Sequence, residues 1–137
     1  MEKVKTRVLR VPGGLVKVSK YFTALEMRCR CNRVDCDAVP MKQEFLNKLD
    51  KMREIYGRAL KPTSAARCEF WNSKVGGALD SQHLVSNACD FYFLKHSDLE
   101  QAMKAAEEAG LGGIGHGKSK LHVDDRGHKA RWTYQDS

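Results

Sequence analysis

The sequence lacks any long hydrophobic run. None of its stretches approaches the roughly 18 consecutive apolar residues that would span a bilayer, so we expect no membrane insertion. The first residues, MEKVKTRVLRVPGGLVKVSK, interrupt their apolar positions with Lys, Arg and Pro and contain no apolar core of a signal peptide. We therefore expect synthesis in the cytoplasm without a signal peptide, and any extracellular action would follow release during lysis.

The sequence also lacks the even number of cysteines that a set of disulfide bonds requires. Its 5 cysteines occur without a secretion signal, which argues against a complete disulfide framework. Cys29, Cys31 and Cys36 lie together in CRCNRVDC, but C-x-C-x4-C has neither the usual C-x2-C spacing nor a clear fourth ligand for structural zinc. A zinc knuckle stays open as an alternative, and buried or partly exposed thiols are the favoured interpretation.

Acidic residues are too few to balance the basic ones. The 24 Lys and Arg against 17 Asp and Glu leave a net charge of +7, which favours a polyanionic environment such as nucleic acid, anionic lipid or anionic cell wall polymer. In KLDKMRE, on the first predicted helix, bases alternate with acids and form no basic stripe, so nucleic acid is disfavoured as a partner.

The apolar pattern predicts an α+β fold in which two main helices pack on a small antiparallel sheet. Residues 1–18 are predicted as an N-terminal arm or hairpin, and residues 19–137 as a single domain. One helix follows Pro40 and ends at Gly57, with helical spacing of Met41, Phe45, Leu49, Met52 and Tyr56. The other follows a capping box and ends at Gly110, and the box consists of Ser97 and Glu100.

Strands are predicted in NACDFYFL, in the two halves of GLGGIGHGKSKLHVDD on either side of a turn at 117–119, and in HKARWTY. The segment ALKPTSAARCEFWNSKVGGALDSQHL indicates a short strand followed by a long loop, and long loops in compact domains are often functional. The glycines of GLGGIGHG follow a helix and precede a strand, which is the wrong order for a dinucleotide-binding turn.

Three residues satisfy the rule that catalytic zinc takes three protein ligands and leaves one position for water: His83, Asp90 and His122. A metal would explain Asp90, because a carboxylate in an apolar strand needs a partner. Asp90 as a turn cap beside a solvated His83 is the alternative. Strand alternation places Asp124 on the face of His122, where it would orient that histidine, act as a base, or begin a turn with Asp125.

The segment TSAARCEFWNSKVGGALDSQHLVSNACDF resembles the signature of the zinc D-alanyl-D-alanine carboxypeptidase family, which includes VanY-like enzymes and phage endolysins with L-alanyl-D-glutamate endopeptidase activity, and shares the hedgehog-type fold. The matching positions are Ser64 to Arg67, Val75 to Gly77 with Ser81 and His83, and Ala88 with Asp90. SKYFTALEMRCRC resembles the family's entry and GGIGHGKSKLHVDDRGHKARW its closing segment. The resemblance runs from about Ser19 to Trp132.

The resemblance implies that His83, Asp90 and His122 bind one Zn²⁺ per chain. It also implies that Arg67 holds a substrate carboxylate or a developing oxyanion, where the alternative is a loop arginine paired with Glu69 or Asp80. The family's base positions hold Ser119 and Lys120 here, which leaves Asp124, slightly favoured, and His116 as candidate bases. Ser86 stands where many members have glycine, which should alter the local turn.

The implied function is a zinc peptidase acting on peptidoglycan stem peptides, either as a D-alanyl-D-alanine carboxypeptidase or as an L-alanyl-D-glutamate endopeptidase of the phage endolysin kind. A monomer is expected, acting on the bacterial cell wall, to which the net positive charge is suited. The alternative is a non-catalytic, zinc-containing binding module of the same fold.

Overall fold

The computed structural model describes residues 16–135, so most of the predicted N-terminal arm lies outside the described residues. The described residues form four α-helices and five β-strands, with a 3₁₀ turn at Gln82–Val85. The helices are α1 (Ala24–Met27), α2 (Gln43–Tyr56), α3 (Glu69–Lys74) and α4 (His96–Glu108). The strands are β1 (Pro62–Ser64), β2 (Ala88–Tyr92), β3 (Gly113–His116), β4 (Lys120–Asp124) and β5 (Ala130–Thr133).

The strands form one sheet in the order β1-β2-β4-β3-β5, which confirms the predicted α+β class. Every pair is antiparallel except β3 and β5, which run parallel and depart from the expected antiparallel sheet. Both edges of β4 are already paired, with β2 and β3. The chain reverses after β4, so β5 joins the open edge of β3, and a strand antiparallel to β4 is necessarily parallel to β3.

Helices α2 and α4 pack on one another and, with one face of the sheet, enclose the hydrophobic core. The helical spacing predicted for α2 is confirmed, since Phe45, Leu49 and Met52 are fully buried. The helix begins at Gln43 rather than directly behind Pro40, and it ends where Gly57 adopts a φ of 80°. This left-handed conformation is one that glycine adopts without the steric cost of a Cβ atom.

The capping box predicted ahead of α4 is wrong. The helix begins at His96 with Lys95 at the N-cap and without a side-chain capping bond, so Ser97 is already inside the first turn. A capping serine needs an extended backbone, which a residue within the helix lacks. A capping box does occur at α1, where Thr23 and Glu26 exchange hydrogen bonds.

The long loop predicted after β1 contains α3 and the 3₁₀ turn. At 6 residues, α3 is too short to show a helical period in the sequence, and its first turn is capped by the Cys68 sulfur, which accepts a hydrogen bond from the Trp71 N–H at 3.5 Å. The prediction of an irregular segment is therefore wrong for Glu69–Lys74.

Alternation along the strands separates the core from the opposite face of the sheet. Cys89, Phe91, Leu121 and Val123 point into the core, whereas the residues between them belong to the other face. The polar side chains of β2 and β4 thus converge on the side of the sheet away from α2 and α4.

Within the described residues no helix is long and apolar enough to cross a membrane.

Candidate metal centre

Asp90 and His122 are direct cross-strand partners in the register of β2 and β4. Oδ1 of Asp90 lies 2.9 Å from Nδ1 of His122 and 3.2 Å from Nε2 of His83. One ligand atom from each of these three buried residues lies within 4.8 Å of the others. Two imidazole nitrogens and one carboxylate oxygen therefore face a common point.

His83 is fixed by the turn that carries it. Its backbone N–H donates to Ser81 Oγ at 3.1 Å, and its Nδ1 lies 2.6 Å from the Ala65 carbonyl oxygen. Because a carbonyl only accepts hydrogen bonds, Nδ1 carries a proton, and in the neutral ring the lone pair of Nε2 faces Asp90. The ring is held in the tautomer that a metal requires.

The turn ends at Ser86, whose φ of 55° lies in the left-handed region. This conformation explains why glycine suits the position, as the resemblance indicated. Ser86 is fully buried, its hydroxyl donates to the Val39 carbonyl, and its own carbonyl accepts from the Lys42 N–H at 3.0 Å. These bonds fasten the turn after His83 to the segment that precedes α2.

His122 is oriented by Asp124 from the side opposite Asp90. Nε2 of His122 lies 2.7 Å from Asp124 Oδ2, so Nε2–H donates to this carboxylate; Nδ1 donates to Asp90 when the ring is protonated and faces it with a lone pair when the ring is neutral. Arg126 donates to the same carboxylate from its backbone N–H at 3.1 Å, from Nε at 2.8 Å and from a terminal nitrogen at 2.7 Å. A Cβ at position 113 would overlap the carboxylate, which explains the use of glycine there.

The charges of the cluster reinforce one another. Burial alone would raise the pKa of Asp90, but hydrogen bonds from His122 and His83 outweigh it and hold that pKa well below its usual range. For His122, burial lowers the pKa, yet the carboxylates of Asp124 and Asp90 outweigh burial and raise it. The two histidines thus favour the ionised form of Asp90, and the two carboxylates favour the protonated form of His122.

Arg67 binds the carboxylate oxygen of Asp90 that does not contact the two histidines. Its guanidinium donates to Asp90 Oδ2 at 3.4 Å, to Asn72 Oδ1 at 3.0 Å and to Ser64 Oγ at 3.2 Å, and only 8% of the residue is exposed. A Cβ at Gly77 would overlap Asn72 Oδ1 and lie 2.8 Å from the Arg67 guanidinium, so glycine is needed for this close packing. The structure pairs Arg67 with Asp90 rather than with Glu69 or Asp80.

The cluster lies at a cleft of about 490 Å³, and the charged residues around it include Lys120, Arg126 and Asp80. Trp132 forms one wall, with its ring centroid 5.3 Å from that of His122, and a Cβ at position 115 would enter the indole. Lys120 places Nζ 4.4 Å from the ring centroid of Tyr134 and 3.9 Å from Asp90 Oδ2. The cleft therefore combines a metal-ligating floor with aromatic and cationic walls.

The family model for peptidase M15 matches residues 20–124, which is most of the chain and includes Arg67, the three clustered ligands and Asp124. The chain belongs to the peptidase M15 family. No curated protein matches it. The donor set fits the metal dependence that is typical of M15 peptidases, since two neutral imidazoles and a carboxylate leave room for water and substrate. Strand β5, with Trp132, lies beyond the matched range.

In this M15 family member, five of the residues singled out from the sequence meet at one site: Arg67, His83, Asp90, His122 and Asp124. The structure does not bring His116 to them. His116 pairs with Leu121 in the register of β3 and β4, so it belongs to the other face of the sheet, in a depression of about 820 Å³ beside α4. That depression is larger than the cleft, but neither of the clusters of metal-ligating side chains found among the described residues lies in it.

Sequence reasoning missed the residues that support the site. The sequence indicates no role for Arg126, although an arginine two positions after a strand carboxylate is placed to bind it. Asn72 carried no signal, because its partners Arg67 and the Ala78 carbonyl are set by the packing of α3. Trp132 was recognised only as part of the family's closing segment.

Proposed function

We propose that this chain is a zinc-dependent peptidase that hydrolyses peptidoglycan stem peptides. The observation that carries the proposal is the convergence of His83 Nε2, Asp90 Oδ1 and His122 Nδ1 at a cleft in an M15 family member. Two histidines and one carboxylate, with a position left for water, are a typical donor set of catalytic zinc. One Zn²⁺ bound there would polarise a water molecule and the carbonyl of the scissile peptide bond.

The surrounding residues have distinct parts in this proposal. Asp124 accepts a hydrogen bond from Nε2–H of His122 and so keeps Nδ1 available as a ligand, while Arg67 fixes the orientation of the Asp90 carboxylate. The His83 ring is held by the Ala65 carbonyl. Each ligand therefore has a partner that fixes its direction before a metal binds.

The role of Asp124 as a general base stays a prediction. Its carboxylate, which is fully buried, already accepts from His122 and three times from Arg126, and these bonds hold its pKa well below the usual range despite burial. A group that is so firmly ionised and so fully engaged is poorly suited to take up a proton. Its contacts favour the orienting role.

The charge of the cleft supports an anionic peptide substrate. Lys120 and Arg126 line the cleft together with Asp80, and both candidate bonds of a stem peptide lie next to a carboxylate. The net charge of +7 suits approach to an anionic wall. We propose that the protein acts there after release from the cytoplasm during lysis.

Purified peptidoglycan incubated with the zinc-loaded protein provides the test, with fragments resolved by mass. Free D-alanine would identify a carboxypeptidase, and a new D-glutamyl amine would identify the endopeptidase. Chelation should abolish release and added Zn²⁺ should restore it. His122→Ala should be inactive, whereas the matched control His96→Ala, an exposed histidine on α4, should retain activity. A zinc-loaded protein that releases nothing from several wall types would instead be a binding module.

A further inference from the structure

Four cysteines form a second cluster of metal-ligating side chains. Cys29, Cys31 and Cys36 come from the segment between α1 and α2, and Cys68 comes from the residue before α3. Their four sulfur atoms all lie within 4.8 Å of one another. Cys68 thus lies where it would complete the C-x-C-x4-C motif as the fourth ligand.

The spacing of the sulfurs fits one tetrahedral metal ion. Zn–S bonds of about 2.3 Å in tetrahedral geometry place the sulfurs about 3.8 Å apart. The sulfurs of Cys29 and Cys68 are 3.7 Å apart, far longer than the roughly 2.05 Å of a disulfide bond. A set of four thiolates in this arrangement selects zinc or iron among biological metals.

The backbone around the cluster donates to the sulfurs. The Cys68 N–H lies 3.3 Å from Cys29 Sγ, the Arg33 N–H lies 3.4 Å from Cys31 Sγ, and the Trp71 N–H lies 3.5 Å from Cys68 Sγ. Asn32, with φ of 58°, turns the chain directly after Cys31 and returns the next N–H to that sulfur. Such bonds favour thiolates over thiols, and thiolates are the form that binds a metal.

Outside the cluster, the segment that holds three of the cysteines is joined to the domain by the bonds of Val39 and Lys42 with Ser86 and by Arg30, which donates to the Pro62 carbonyl at 3.3 Å. Residues 28–42 contain neither helix nor strand, and most of them are partly or fully exposed. A cross-link to Cys68 would fix this segment against the residue that directly follows Arg67. From the four converging sulfurs and their N–H donors, we propose that Cys29, Cys31, Cys36 and Cys68 bind a structural Zn²⁺, distinct from the ion at His83, Asp90 and His122.

Metal content of the whole protein tests the proposal. Protein purified under reducing conditions without chelator should contain two zinc ions per chain, and a mercurial reagent that binds thiolates should release only one of them. The Co²⁺-substituted protein should show a thiolate-to-cobalt charge-transfer band in the near ultraviolet. Absence of that band, iron in place of zinc, or a mercurial that releases no zinc would overturn the proposal, and none of these measurements depends on a variant that folds.

Variants then assign the ligands. The double variant His83→Ala and His122→Ala should be inactive yet keep one zinc ion and the charge-transfer band. Cys31→Ser should fall from two zinc ions to one and lose the band, whereas the matched control Cys89→Ala, a core cysteine outside the cluster, should keep both. A double variant without zinc, or Cys31→Ser with two, would contradict the assignment. Because the charge-transfer band and the zinc released by the mercurial report only on the cysteines, failure of the proposed peptidase function would leave these two results unchanged.

Discussion

Replacement of Asp124 by Asn separates the two roles that its position allows. The amide has nearly the same shape, but it is neutral and exchanges one acceptor for a donor. At present one carboxylate oxygen accepts from both His122 Nε2 and an Arg126 terminal nitrogen, each at 2.7 Å, and the other accepts from Arg126 Nε at 2.8 Å. Whichever way the amide is turned, its NH₂ group faces a donor, so the side chain cannot satisfy both neighbours.

If Asp124 orients His122, loss of this partner should weaken zinc binding by about 10- to 100-fold, or about 1.4 to 2.7 kcal/mol. Competition for zinc against a chromophoric chelator measures this change directly. Turnover should recover much of its loss when zinc is saturating. The matched control is Asp125→Asn, since Asp125 bonds Lys48 instead and should leave affinity unchanged.

The opposite pattern would refute the orienting role. If Asp124→Asn binds zinc as tightly as the unchanged protein while turnover falls by roughly 100-fold at saturating zinc, then the residue acts as the base. Unchanged affinity together with unchanged turnover would remove Asp124 from both roles.

Three further predictions concern the same cleft. Arg67→Lys keeps the charge but loses the planar guanidinium group, so it should lower the free energy of unfolding by about 1 to 3 kcal/mol in urea titrations. An unchanged urea midpoint would show that the contact with Asp90 does not contribute to stability. Gly115→Ala places a methyl group in the Trp132 indole and should cost about 1 to 3 kcal/mol by the same assay, with altered tryptophan fluorescence. Zinc affinity should fall about tenfold per pH unit below the raised pKa of His122 and level off above it, because zinc displaces the proton of this imidazole. An affinity that does not change with pH in competition titrations would contradict this linkage.

The meeting of Asp90 and His122 could be predicted from the sequence because each position rests on a local rule; that they bind a metal stays a prediction. Asp90 interrupts an apolar strand, and His122 alternates with Leu121 and Val123, so both belong to the face away from the core. The family pattern then joined His83 to them, and the structure brings all three together.

Three features could not be predicted from the sequence because they depend on strand register or on contacts between distant residues: the face of His116, the fourth cysteine and the pairing of β5. The face of His116 is decided by the turn at 117–119, which pairs Gly115 rather than His116 with His122. A shift of one residue would have reversed this. Cys68 lies far along the chain from CRCNRVDC, so only the folded structure reveals it as a fourth ligand. Likewise, the parallel pairing of β5 follows from which sheet edge is open, which no local pattern encodes.

The two clusters are joined by two consecutive residues, Arg67 and Cys68. Cys68 has an extended backbone, so neighbouring side chains point to opposite sides: Arg67 reaches Asp90, and Cys68 reaches Cys29. The Arg67 N–H also donates to the His83 carbonyl at 3.1 Å. This stretch therefore supports two of the three ligands, His83 and Asp90.

His122 has a separate support, because Asp124 and Arg126 belong to β4 and to the turn after it. Loss of the cysteine cluster would first disturb Arg67, and through it the Asp90 carboxylate, while the His122–Asp124 pair would keep its geometry. The metal-ligating set is thus built from two halves with independent supports. Defects in the two halves should be distinguishable, since those on the cysteine side would remove the structural zinc ion, whereas those at Asp124 would leave that ion bound and weaken only the site of His122.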